Sequence, residues 1–189
     1  MEKATEESID LGSATYAAKR AADVVAVLQN KDRLEYQAVL AKLNETLKMY
    51  GERSAVTTAN LDELKAVGRR LYEVFETHNT NEAVTLLNDV LKEYGSQPRL
   101  TAHDGSAWHL HVDSSDHAPW AEWFAASSAL ALATLLAEKQ RNPGGLCASP
   151  TCSKPFIDLG KGGGRNYCSP KCATRERVAK YRAKDSIER

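Results

Sequence analysis

Four cysteines, all in the last quarter of the 189-residue chain, place the tightest limit on how it can fold. They stand as Cys147-x4-Cys152 and Cys168-x3-Cys172, with fifteen residues between the pairs. Each close pair can offer two thiolates from one tight turn, and the interval is long enough to fold back and bring the pairs together. That is the ligand pattern of a single Zn2+ ion held tetrahedrally by four sulfurs. Ser149-Pro150-Thr151 and Ser169-Pro170-Lys171, which precede the closing cysteines, are turn formers. The alternative is a pair of disulfides, which requires an oxidising compartment. The opening Met1-Glu2-Lys3-Ala4-Thr5-Glu6-Glu7 is acidic and polar, with neither a basic nor an apolar leader segment. A cytoplasmic location with reduced, metal-available thiols is therefore expected.

The overall charge of zero hides a segregation along the chain. From Leu146 onward there are 10 Lys and Arg against 4 Asp and Glu, a net charge of +6, so the preceding residues carry −6. An acidic body with a basic tail points to a polyanion partner for the tail. The competing explanations are solvated charge on a small module, or a tail folded against its own acidic body.

The body reads as helices interrupted by one hairpin. Small and apolar residues recur at helical spacing from Ser13 to Gln29. Asp32 is placed to cap a second helix that stops at Gly51. A third helix follows Asn60, with Leu61, Leu64, Val67, Leu71, Val74 and Phe75 on one stripe. Thr80 is placed to cap a fourth, ended by Gly95. The period then changes to two, because Leu100-Thr101-Ala102 and Trp108-His109-Leu110-His111-Val112 flank the turn signal Asp104-Gly105. This predicts a β-hairpin near 99–112, with Trp108, Leu110 and Val112 on one face and His109 and His111 on the other. Pro119 suits the first turn of a long helix ending near Gln140. The run from Trp120 to Ala137 is rich in Ala and Ser, which predicts a buried helix and no membrane span. Asn142-Pro143-Gly144-Gly145 then reads as a linker. The expected fold class is mainly α with a small β-hairpin, in two domains: a helical domain over 1–142 and a four-cysteine finger over 146–185.

The remaining candidate sites are weaker. His103, His109, His111 and His117 fall close together, but no cysteine or suitably placed carboxylate completes a metal motif, so they read as surface histidines. Trp108, Leu110, Trp120, Trp123 and Phe124 could line a pocket or simply pack the core. No nucleophile with a partnered base can be assembled. A closed shell of four thiolates also leaves zinc no open coordination position, so the expected metal is structural and the chain is not expected to be an enzyme.

Gly160-Lys161-Gly162-Gly163-Gly164-Arg165 lacks the Lys-Ser/Thr pair and following helix of a phosphate-binding loop. It reads as the tip between strands led in by Phe156-Ile157-Asp158 and out by Asn166-Tyr167, with Lys161 and Arg165 able to reach phosphates. Beyond Cys172 the sequence has helix-forming composition. On a helical wheel Arg177, Lys180 and Lys184 share one side and Arg175 and Arg182 another, with Val178 and Tyr181 between them. Such a helix suits a nucleic-acid groove, touching phosphates on both flanks.

The tail resembles the CGNR zinc-finger family, bacterial proteins with an α-rich N-terminal ABATE-type domain. The resemblance rests on Cys147-Ala-Ser-Pro-Thr-Cys152, Phe156-Ile157-Asp158, Arg165-Asn166-Tyr167-Cys168-Ser169 and Cys172-Ala173-Thr174-Arg175. The family motif has Gly-Asn-Arg after the last ligand; here Ala173 and Thr174 replace the first two and Arg175 is kept. The resemblance implies a zinc-dependent, DNA-binding transcription regulator. The finger would contact DNA through Lys161, Arg165, Arg175, Arg177, Lys180, Arg182 and Lys184. The body would sense a small-molecule effector or form a homodimer. Arg175 is the first choice for a specific DNA contact. The rival reading is a zinc-stabilised interaction module for an acidic protein partner.

Overall fold

The computed structural model describes residues 14–29, 35–52, 55–102, 108–160 and 164–187. His103, the turn Asp104-Gly105, the expected cap Asp32 and Lys161 lie outside these, as does the side chain of Lys184. Among the described residues the order is α1 Ala14–Leu28, α2 Tyr36–Met49, α3 Thr58–Glu76, α4 Thr80–Tyr94, β1 Arg99–Thr101, β2 His109–His111, α5 Trp120–Lys139, β3 Gly144–Leu146, β4 Pro155–Ile157 and α6 Pro170–Ile187.

Helix α5 is the centre of the body. It is apolar on all sides, as a helix surrounded by protein should be. Ala121, Phe124, Ala125, Ala129, Leu132 and Leu135 are buried against α1, α3 and α4. Its length and composition would also allow it to cross a membrane, but it is a core helix here. Its alanines, with those of α1, let the helix axes approach closely. Gly68 serves the same end, because a Cβ there would sit 2.8 Å from Leu28 Cδ1.

The helix starts differ slightly from the sequence expectation, each for a local reason. The second helix begins at Tyr36 with Glu35 at its N-cap position, three residues beyond the expected Asp32. Helix α4 is capped by Asn79, whose side chain accepts from the N–H of Asn81 at 2.9 Å and of Glu82 at 3.4 Å. Asn79 sits one residue ahead of the expected Thr80, at the position from which a cap side chain reaches the orphan amides of the first turn.

The hairpin forms, with Leu100 opposite Leu110 and Thr101 opposite His109, but of the face expected to carry Trp108, Leu110 and Val112 only Val112 is buried. Leu100, Trp108 and Leu110 are exposed, whereas His109 and His111 are half-buried. The cause is Asp113, which is 2% exposed and has the same strand parity as the histidines. Its carboxylate accepts from Arg99 at 2.5 Å and lies 3.2 Å from His111 Nδ1. Leaving a buried carboxylate unpaired would cost more than exposing two leucines does, so the pairing of Asp113 with Arg99 and His111 turns the polar face inward. Trp108 and Leu110 are therefore exposed and not part of the core. Trp120 and Trp123 pack edge to face, 5.2 Å between centroids, against a core that includes Phe124.

The segment expected to be a linker is also ordered. Gly144–Leu146 pairs antiparallel with Pro155–Ile157, Gly144 opposite Ile157. Only glycine fits at 144, because a Cβ there would meet the Phe156 carbonyl oxygen at 1.9 Å. This second hairpin packs on α1 and α3, and Ile157 joins the hydrophobic core of the body.

Candidate metal centre

Strand β3 runs directly into Cys147, and the two cysteine turns close around it. Cys147 N–H donates to the Lys154 carbonyl at 3.0 Å, and Cys152 N–H to the Ser149 carbonyl at 2.8 Å, which holds both sulfurs of the first pair on one side of the turn. The second pair is built by the start of α6. Ser169 acts as the cap: its hydroxyl accepts from Cys172 N–H at 3.3 Å and its carbonyl from Ala173 N–H at 3.1 Å. Pro170 opens the helix, where its missing N–H costs nothing. The expected strand at Asn166-Tyr167 does not form. Phe156 is already paired with β3, and Asn166 instead accepts from Ala148 N–H at 2.8 Å, joining the two knuckles directly.

The four sulfurs of Cys147, Cys152, Cys168 and Cys172 all lie within 4.8 Å of one another. Cys168 Sγ is 3.7 Å from both Cys152 Sγ and Cys172 Sγ. Zn–S bonds of ~2.3 Å to a tetrahedron of sulfurs require S···S edges of about 3.8 Å. The spacing fits that ion, and all four cysteines are unbridged rather than paired as disulfides. The four cysteines are thus positioned to bind a metal. As bare thiols they titrate unequally. Burial, then the neighbouring thiols, pushes Cys168 up to about 12. Burial also raises Cys152. Cys172 is lowered to about 7, chiefly by its hydrogen bond with the Ser169 hydroxyl. The positive end of α6 lies beside it and favours a thiolate in the same sense.

Around the sulfurs is a shell that the spacing of the cysteines did not reveal. Ser149 is 3% exposed; its hydroxyl donates to Glu176 Oε1 at 2.6 Å and accepts from Arg175 at 2.7 Å. The same guanidinium nitrogen of Arg175 lies 3.5 Å from Cys172 Sγ. Ser149-Pro150 had been legible only as a turn. Glu176, an acid set between Arg175 and Arg177 near the start of the terminal helix, was the available signal for an inward-facing contact.

Asp158 is the other organising residue. It is 6% exposed and accepts from Arg141 at 2.8 Å, from Gly160 N–H at 3.0 Å and from Arg165 N–H at 3.2 Å. It thereby closes the base of the glycine loop and ties it to the end of α5. Burial opposes its ionisation, but the two backbone donors and Arg141 outweigh this and hold its carboxyl below the ordinary range.

The predicted nucleic-acid residues divide into two groups. Arg165 is turned back on its own knuckle: Nε donates to the Tyr167 carbonyl at 2.5 Å, a terminal nitrogen donates to the Cys168 carbonyl, and the group lies 5.0 Å from the Phe156 ring centroid. Arg175 faces the cysteines as described. Arg177, Lys180 and Arg182 lie on the projecting part of α6, where every described side chain from Arg177 to Asp185 is exposed, Val178 and Tyr181 included. Among the described residues no histidine takes part in the cysteine site. His111 is committed to Arg99 and Asp113, and burial lowers its pKa although Asp113 acts in the opposite sense.

Comparison with known proteins matches residues 145–185 to the CGNR zinc finger, the segment that carries all four cysteines and α6. Residues 13–139 match the ABATE family, described as "Putative stress-induced transcription regulator". No curated protein matches the chain. With the helical body matched over most of the chain and the finger matched behind it, the chain belongs to the ABATE family and carries a C-terminal CGNR zinc finger.

Proposed function

We propose that the chain is a cytoplasmic, zinc-dependent DNA-binding transcription regulator in which Cys147, Cys152, Cys168 and Cys172 hold a structural Zn2+ and α6 enters a DNA groove. The observation that carries this reading is the setting of α6. Its first turn is fixed at the cysteine cluster, while every described side chain of its basic length beyond Glu176 is exposed. An exposed helix with cations on two sides is suited to bridging phosphates across a groove. Arg177, Lys180, Arg182 and Lys184 are the proposed contacts, with Lys161 of the glycine loop as a further one. Arg165 and Arg175 are occupied within the finger and are assigned to its architecture.

The division of labour follows the same lines. Residues 1–142 form the signal-receiving or dimerising domain, and residues 146–185 form the finger. The role is non-enzymatic, since a closed four-sulfur shell gives zinc no position for substrate or water.

The test is binding of the intact protein to random-sequence duplex DNA across a salt series, with and without a chelator. Five phosphate contacts give a log-log salt slope of about −4 to −5, and chelation abolishes binding. Salt-insensitive binding, or binding unaffected by zinc removal, overturns the reading. Exposed Val178 and Tyr181 favour one other occupant for α6, an acidic protein surface; that reading takes over if duplex DNA fails to bind.

A further inference from the structure

We infer that Arg175 is a positioning residue, whose guanidinium bridges the Ser149 hydroxyl and the Cys172 sulfur and so fixes the direction in which α6 leaves the metal site. The inference rests on the reading of the four cysteines as a zinc site. It does not require that the protein bind DNA.

The need for such a residue comes from how little else holds α6. Beyond Glu176 its described side chains are all exposed, so burial along its length does not set its angle. Cys172, in its first turn, supplies one attachment point. A helix attached only through a metal–sulfur bond can still swivel about that bond. A second attachment, off the axis of the first, is required to stop it.

Arg175 and Glu176 supply that attachment. They are adjacent in sequence and therefore diverge by about 100° around a helix. Both nevertheless reach Ser149, Glu176 accepting its hydroxyl hydrogen at 2.6 Å and Arg175 donating to its oxygen at 2.7 Å. The helix is thus clasped from two directions onto one buried residue of the first knuckle. A further contact of 3.5 Å, between Arg175 Nε and Glu176 Oε1, keeps the two arms together.

Charge explains why this arm is an arginine. A Zn2+ ion with four thiolates carries a net charge of −2 by valence, and the Arg175 nitrogen 3.5 Å from Cys172 Sγ is placed to donate to one of those sulfurs. Lysine could provide the charge. It could not provide a planar fork that addresses a hydroxyl and a sulfur together in fixed geometry.

This separates the inference from a direct DNA role, for which a lysine would still touch phosphate. The full-length protein is loaded with Co2+ as a spectroscopic substitute for zinc, and Arg175→Lys, Ser149→Ala and wild type are compared. Metal affinity is measured by competition with a chelator, and amide hydrogen exchange is followed over residues 173–181. Both variants are expected to lose about tenfold in metal affinity, within the range for groups that orient metal ligands. Both are also expected to speed exchange in the first turns of α6, and Arg175→Lys to shift the thiolate-to-cobalt absorption band. Ser149→Ala changes no charge and touches no solvent-facing surface, so a shared loss reports the clasp itself.

Arg175→Lys with wild-type metal affinity, cobalt spectrum and exchange overturns the inference. So does Ser149→Ala with wild-type affinity and exchange. Should wild type bind no duplex DNA, the proposed function fails while these measurements still decide the role of Arg175.

Discussion

Lys154 Nζ lies 2.7 Å from Asp23 Oδ1, an ion pair that joins the first knuckle of the finger to helix α1 of the body. The other oxygen of Asp23 accepts from the Tyr50 hydroxyl at 2.6 Å, so α1, the end of α2 and the finger meet at one carboxylate. Close by, Ile157 of β4 enters the core of the body and Leu146 of β3 packs against it. Because β3 continues directly into Cys147, the metal site is anchored in the same core that holds the helices together. A change in the packing of α1 has a short, rigid path to the cysteines.

The apolar part of that junction should dominate its energetics. Ile157 is 7% exposed, and Ile157→Ala is expected to destabilise the fold by about 2–4 kcal/mol. The Lys154–Asp23 pair is partly solvated, and Lys154→Ala should cost less than about 1 kcal/mol. Urea unfolding of the two variants checks the order. A larger effect from Lys154 would mean that the polar contacts, not the hairpin packing, hold the finger to the body.

Metal removal should unfold the knuckles and leave the helices. Structural zinc contributes on the order of 10 kcal/mol to a module with so little core of its own. Cys168→Ser is therefore expected to lose metal and the amide protection of the two knuckles, residues 147–152 and 166–172. The helical circular dichroism of α1 to α5 should persist, and Ile157 should keep β4 in place on α1. Loss of the entire helical signal would show that the body cannot fold without the finger.

Periodicity made the body legible and spacing made the metal site legible, because both are local properties of the chain. Leu61 to Phe75 announces α3 in one stretch, and four cysteines in two turns announce one tetrahedron. What sequence could not show depended on partners distant along the chain. The alternation from Trp108 to Val112 is a sound strand signal, but which face turns inward was decided by Asp113 capturing Arg99 across the hairpin. Gly144-Gly145 looks like a linker until Phe156 approaches too closely for any side chain at 144. Arg175 belongs to a basic run and was grouped with it; only the fold brings Ser149 and Cys172 to its side.

The hairpin network should make the body acid-sensitive. Burial lowers the pKa of folded His111 from its ordinary value of 6.5, so the unfolded chain binds a proton more readily than the fold does. The stability associated with neutral His111 is therefore complete above pH ~6.5 and is lost as pH falls below it, until the folded histidine also protonates. Wild type and His111→Gln are compared by urea unfolding between pH 7.5 and 5.5. Thiolate protonation weakens metal binding in both proteins alike, so the difference between them isolates the histidine. The variant is expected to lose less stability than wild type over this range; an equal loss would remove His111 as the cause.

Charge reversal along α6 provides the sharpest test of the DNA reading. Arg177 and Lys180 are exposed on the projecting part of the helix, so replacing both with glutamate should leave thermal unfolding and metal content unchanged. If each grips a phosphate, losing both flattens the log-log salt slope by about two and weakens binding most at low salt. Arg182→Glu with Lys184→Glu should act in the same direction from further along the helix. Arg165→Gln behaves differently if its bonds to the Tyr167 and Cys168 carbonyls are its main role: metal affinity falls while the salt slope holds. Wild-type binding by both reversal pairs, with zinc retained, would place the nucleic-acid surface elsewhere and leave α6 as a docking helix for an acidic protein.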